Sequence, residues 1–131
     1  MTTETHANLL AALQENALAW PGSYGAPELH SKHITDWSGE LGVAPLALLR
    51  PNSTEQVSQI LALCNQHRCP VIPQGGLTGL AGGATVRGAA IALSMDRMDG
   101  IIELDADSAT MTVWAGTPLQ VIQETAQAAG Y

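Results

Sequence analysis

The sequence contains no phenylalanine, and aromatic residues make up only 4% of it, so any core it builds must be aliphatic. Basic residues are nearly as scarce. Five Lys and Arg stand against twelve Asp and Glu, a net charge of −7. That balance repels a polyanion, and no basic run reverses it locally, so nucleic acid is excluded as a partner. Any small anionic ligand must then be held by main-chain dipoles rather than by a lysine cluster. No apolar run reaches the roughly 18–20 residues of a membrane span. Residues 1–15 lack both the basic start and the apolar stretch of a secretory signal, which points to the cytoplasm. Cysteine is limited to Cys64 and Cys69. With no other ligand near them in sequence, they read as buried, reduced thiols, and a C-x4-C metal half-site is the weaker reading.

What is present describes an ordinary folded domain. Apolar residues make up 46% of the 131 and charged residues 13%, and a chain of this length can bury a real core. Residues 4–19 read as an amphipathic helix with Leu9, Leu10, Leu13 and Leu18 near one stripe, stopped by Pro21-Gly22. Residues 21–43 show no period and read as a long arm. Residues 44–50 form a short apolar run that predicts a strand. Ser53 then caps a helix, with Gln56 in capping-box position. Val57, Ile60, Leu61 and Cys64 recur at i, i+3, i+4 and i+7, a helix face packed on a sheet. Residues 70–73 predict a second strand, so that strand, helix and strand form a βαβ unit.

Further strands are expected over 89–93, 100–104 and 109–115, the last two joined by a turn over 105–108. Thr117 with Gln120 predicts a capping box for a final helix that starts with Pro118 and ends at Gly130. The fold class is therefore α+β, with residues 1–43 as an N-terminal helix and arm and 44–131 as the body.

The chemistry is concentrated in residues 73–83, Pro-Gln-Gly-Gly-Leu-Thr-Gly-Leu-Ala-Gly-Gly, where five of eleven residues are glycine. Each glycine costs about 0.5–1 kcal/mol of backbone entropy against alanine, so the run demands a reason. Glycine permits positive φ and lets another atom approach the main chain. Successive N–H groups in such a turn can converge on an anion. Hydrogen bonds to a charged acceptor contribute roughly 1.5–3 kcal/mol each, so three or four would hold a diphosphate with no lysine present. Thr78 adds a hydroxyl donor. A Walker A loop is excluded because no Gly-Lys-Ser/Thr follows. A Rossmann fingerprint must open directly into a helix, whereas residues 84–88 lead into a strand. These residues alone leave three readings open: an enzyme's dinucleotide site between strands, a non-catalytic nucleotide-binding subunit completed by another chain, and a loop whose glycines merely relax the backbone.

Residues 73–84 resemble the diphosphate loop of the FAD-binding PCMH-type (vanillyl-alcohol oxidase) oxidoreductases, closest to the D-lactate, D-2-hydroxyglutarate and glycolate oxidase group. Arg50-Pro51-Asn52-Ser53-Thr54-Glu55-Gln56-Val57 is similar to that family's strand-to-helix junction. Leu93-Ser94-Met95-Asp96-Arg97-Met98 resembles the segment running past the flavin, Ala115-Gly116-Thr117-Pro118-Leu119 the turn into the next helix, and Asp36-Trp37 a dipeptide ahead of the domain. The resemblance covers residues 33–131, with the motifs in the family's order.

It implies an FAD-dependent dehydrogenase or oxidase of 2-hydroxy acids, in which a hydride passes from the substrate CH–OH to flavin N5. It also implies that the backbone of Gly75, Gly76, Leu77, Thr78 and Gly79 grips the pyrophosphate, with Leu80 close behind and Pro73 at the loop entrance. Several relatives bond the flavin covalently through a histidine where Leu77 stands, so leucine implies dissociable FAD. Family members continue past a helix such as 117–130 into further flavin-binding and substrate parts, so the chain reads as an N-terminal portion that is inactive alone. Among the remaining residues, His30 and His33 read as solvent-facing histidines of the arm. Arg97 reads as facing a phosphate or the flavin edge, or as pairing with Asp96 or Asp99. Trp37 reads as an anchor on the domain or a wall of the flavin edge.

Overall fold

A computed structural model describes residues 3–16, 18 and 33–131. Eight elements follow in order: α1 (Thr3–Glu15), β1 (Ala47–Leu49), α2 (Thr54–Gln66), β2 (Val71–Gln74), β3 (Ile91–Ser94), β4 (Ile101–Asp105), β5 (Thr110–Val113) and α3 (Leu119–Ala128). The fold is α+β. The Pro21-Gly22 stop, most of the arm and His30 lie outside the described residues.

Three strands form a parallel sheet in the order β1-β3-β2. The βαβ expectation is therefore modified: β1 and β2 run parallel on either side of α2 in sequence, but β3 lies between them. Ala47, Leu48 and Leu49 pair with Ile91, Ala92 and Leu93, and Val71 to Gln74 pair with Ile91 to Ser94. Side chains alternate across such a sheet, and here each face has its own cover. On one face, Ala47, Leu49, Ile91 and Leu93 pack with Leu9 and Leu13 of α1 and with Ile60 and Cys64 of α2. On the other, Leu48 and Ala92 pack with Val86, Ala90 and Ile72. A strand buried on both faces reads as a continuous apolar run, as β1 and β3 do.

Leu9 and Leu13 of α1 are in the core with Leu10 partly buried beside them, as the spacing predicts, but the helix ends at Glu15 and Leu18 is buried from beyond it. On α2 the buried line is Ile60 and Cys64 with Val57 beside it, while Leu61 falls at its edge and is exposed. Ser53 Oγ accepts from Gln56 N at 3.2 Å, and Gln56 Oε1 accepts from Asn52 N at 2.9 Å, which closes the start of α2. Cys64 and Cys69 are free and buried. Burial, and secondarily the neighbouring Cys69, push the Cys64 thiol up to about 12, so it carries no thiolate at neutral pH.

β4 and β5 form an antiparallel hairpin with a bulge between Ile101 and Glu103. Asp105 Oδ1 accepts from the N–H groups of Asp107 and Ser108 and shapes its turn. The capping box expected at the last helix is not formed. Thr117 Oγ1 instead accepts from Gly100 N at 3.0 Å and lies at hydrogen-bond distance from the carbonyls of Gly100 and Trp114. Gln120 turns along the helix to Glu124. Pro118 stands at the cap with no side-chain bond. The other end is as expected. Gly130, at φ +90°, donates to Gln127 O, and Tyr131 N donates to Ala126 O, the paired bonds of a Schellman turn. Among the described residues no helix is long and apolar enough to cross a membrane.

Candidate functional site

The carboxyl ends of β2 and β3 open onto a cleft of about 510 Å³. Crevices at the carboxyl ends of parallel strands are where open α/β sheets bind ligands. Gly75, Gly76, Leu77 and Thr78 form part of its wall as the chain leaves β2. Ser94 and Asp96 reach it from the end of β3, with Asp99 and His33 beside them, and the segment from Ala115 to Leu119 completes it. Segments far apart in sequence, each singled out by its motif, thus meet around one space.

The structure distinguishes the reasons for the loop's glycines. Positive φ is taken by Gly82 (+70°) and, unexpectedly, by Leu77 (+59°), and not by Gly75, Gly76 or Gly79. The left-handed backbone itself explains Gly82; a Cβ there would sit 2.8 Å from the Arg87 guanidinium, an exposed and movable side-chain end. At Gly79 a Cβ would meet only Asp36 Oδ2 at an ordinary 3.7 Å. At Gly75 and Gly76 a Cβ would meet nothing within 4 Å. Neither the backbone nor the packing requires glycine at 75 and 76, and both line the cleft.

Main-chain donors are available there. Among the described residues, none accepts a hydrogen bond from an N–H group between Gly75 and Gly83. The start of α3 also borders the cleft through Pro118 and Leu119, without a side-chain cap. An uncapped helix start carries partial positive charge. The arrangement suits an anion that approaches the backbone closely.

The acids at the cleft are constrained. Asp96 accepts two bonds from Arg50, at 2.9 and 2.6 Å. That guanidinium, followed by the Ser94 hydroxyl, holds the Asp96 carboxyl below its ordinary range despite partial burial. Among the described residues Arg97 forms no ion pair with Asp96 or Asp99, and it donates to the Arg50 carbonyl at 3.4 Å. Behind the loop, Asp36 is buried and accepts from Ser38 N at 3.0 Å and Ala84 N at 3.4 Å. The Ser38 bonds lead in lowering its pKa.

Of the seven residues expected at the diphosphate, Gly75, Gly76, Leu77 and Thr78 lie together on the cleft. Pro73 is on β2 opposite Leu93, Gly79 faces Asp36, and Leu80 is 78% exposed, all three off the cleft wall. His33 corrects the expectation of a solvent-facing side chain: it is buried, with Nδ1 3.1 Å from Gln74 Oε1. Trp37 is 73% exposed and neither anchors the domain nor lines the cleft. Gln74, Gly116 and the start of α3 enter the sequence reading only as parts of motifs, with no place at the site. The alternation of β2 placed Gln74 on the buried face of Ile72, the one signal available for it.

Comparison with known proteins agrees with this geometry. A family profile described as FAD binding domain matches residues 45–131. D-2-hydroxyglutarate dehydrogenase of Xanthomonas citri pv. viticola is 35% identical over 95 residues, 72% of this chain and 20% of that protein. D-lactate dehydrogenase of Anaerostipes hadrus is 33% identical over 86 residues (66% and 18%), and glycolate oxidase subunit GlcD of Bacillus subtilis is 36% identical over 72 (55% and 15%). The chain thus spans about a fifth of the length of these curated relatives. Among solved structures, alkyldihydroxyacetonephosphate synthase superposes with a TM-score of 0.76 at 19% identity, covering 95% of this chain and 25% of its own. Substrate-bound p-cresol methylhydroxylase gives 0.73 at 22% (95% and 26%). These likenesses establish the PCMH-type fold. The chain belongs to the FAD binding domain family, and FAD is the cofactor that this membership assigns to it.

Proposed function

We propose that this chain grips the pyrophosphate of FAD within an oxidoreductase acting on 2-hydroxy acids. The carrying observation is the open space over Gly75 and Gly76 on the cleft wall, beside a run of N–H groups with no partner among the described residues. A diphosphate fits that cradle because its oxygens need donors at hydrogen-bond distance, and a side chain at either position would stand in the way. Thr78 adds a hydroxyl, Pro73 fixes the entry of the loop, and Gly79 and Leu80 close it from behind. Leu77 offers no nucleophile, so the flavin is held without a covalent bond. The bound flavin supplies the two-electron redox chemistry, taking a hydride at N5. The substrate class follows the relatives, whose names specify D-2-hydroxyglutarate, D-lactate and glycolate, all 2-hydroxy acids. Two buried, reduced thiols suit the cytoplasm.

The test separates ligand from fold. Gly75→Ala and Gly76→Ala should leave the melting temperature unchanged, or raise stability by about 0.4–1 kcal/mol through the unfolded chain. The same variants should weaken FAD binding, followed by flavin fluorescence, by at least about tenfold. Unchanged FAD affinity in both variants would refute the reading.

A further inference from the structure

Beneath the glycine loop lies a buried polar pair. Gln74 is 1% exposed and His33 is 6% exposed. The Gln74 amide nitrogen donates to His33 O at 2.9 Å and to Ala84 O at 3.0 Å, so both its hydrogens are engaged. Flipping the amide would set its oxygen against two carbonyl oxygens, which fixes its orientation. Gln74 Oε1 therefore faces His33 Nδ1, 3.1 Å away, as an acceptor. An unprotonated Nδ1 would bring lone pair against lone pair in a buried site, so Nδ1 carries the hydrogen.

The placement of this pair matters more than its chemistry alone. Gln74 is the last residue before the glycines and Ala84 the first after them, and one side chain joins the two. The Gln74 backbone is tied to β3 through Met95 N at 2.9 Å, and Ala84 N is tied to Asp36. The N–H groups of the loop itself make no such bonds among the described residues, so its width is set at its base. Resting on the diphosphate reading above, we propose that Gln74 and His33 are positioning residues that hold the ends of the loop at the separation a diphosphate requires, with the His33 ring in its Nδ1–H tautomer.

Two measurements on the 131-residue chain test this. Nitrogen-15 NMR of the imidazoles, at a pH above the ring's titration, should show His33 protonated at Nδ1 and bare at Nε2; this needs no variant. Binding of FAD, ADP and riboflavin is then compared across variants. Gln74→Leu and His33→Leu should lose at least about tenfold for FAD and ADP and nothing for riboflavin. His33→Asn, which keeps a donor towards Gln74, should stay within about threefold of the wild type. An Nε2–H tautomer overturns the proposal. So does wild-type FAD and ADP affinity in both leucine variants, or an equal loss for riboflavin, which would mark general unfolding. A wild-type chain that binds riboflavin as tightly as FAD overturns the diphosphate reading itself and the positioning role with it. Retained preference for FAD with unaffected leucine variants overturns the positioning role alone.

Discussion

The two sheets of this chain are built on opposite terms. Every residue of β1 and β3 is buried, and the sheet has a helical cover on one face and an irregular cover on the other. β4, β5 and α3 contain no buried residue, and Ile102, Trp114, Leu119 and Val121 stand exposed on or beside them. The first region holds the stability of the chain, whereas the second is held largely by its own ladder and by a few contacts around Gly116. The cleft lies at the seam, taking its glycine wall from the first region and residues 115–119 from the second.

Truncating one apolar side chain in each region tests that contrast most severely. Leu49→Ala should destabilise the chain by about 2–5 kcal/mol, whereas Ile102→Ala should cost less than about 1 kcal/mol, both read by urea unfolding. Comparable losses would mean that the hairpin has a core of its own. A smaller effect is expected at the seam. A Cβ at Gly116 would run into the Met95 carbonyl and crowd Met98 O at 3.0 Å. Gly116→Ala should therefore cost about 1–3 kcal/mol, and amide exchange should rise in β4 and β5 before it rises in β3. Uniform exchange across both sheets would erase the distinction.

The smallest effect belongs to the Arg50–Asp96 pair, which joins the ends of β1 and β3 with both side chains more than a third exposed. Because the Asp96 pKa is lowered on folding, the pair's contribution is fully present above the unfolded carboxylate value of about 3.9. It is lost as pH falls through the lower folded value. Asp96→Asn should cost at most about 1 kcal/mol at neutral pH and flatten that acid slope, with little further change in high salt. An unaltered slope would place the acid sensitivity elsewhere.

Local rules made much of this legible. The spacing of Ile60 and Cys64, the Ser53–Gln56 pair and Gly130 each act within one turn of chain, and each is found as read. Spatial order is not written that way: nothing in residues 44–74 announces that β3 inserts between β1 and β2. His33 was misread because the partner that justifies its burial is 41 residues away. Thr117 was misread because Gly100 competes for its hydroxyl, a bond across 17 residues that outranks the helix end. In the glycine loop the segment was evident, but which glycines serve the fold and which serve a ligand is visible only once the neighbours of each are known.

Leu77 is the odd member of that loop, a bulky residue at φ +59° where Gly75, Gly76 and Gly79 keep ordinary backbone angles and only Gly82 shares its left-handed conformation. Such a backbone costs on the order of 1–3 kcal/mol and persists only where its surroundings impose it. A bend held in place before the cofactor arrives would spare association the ordering of the peptide.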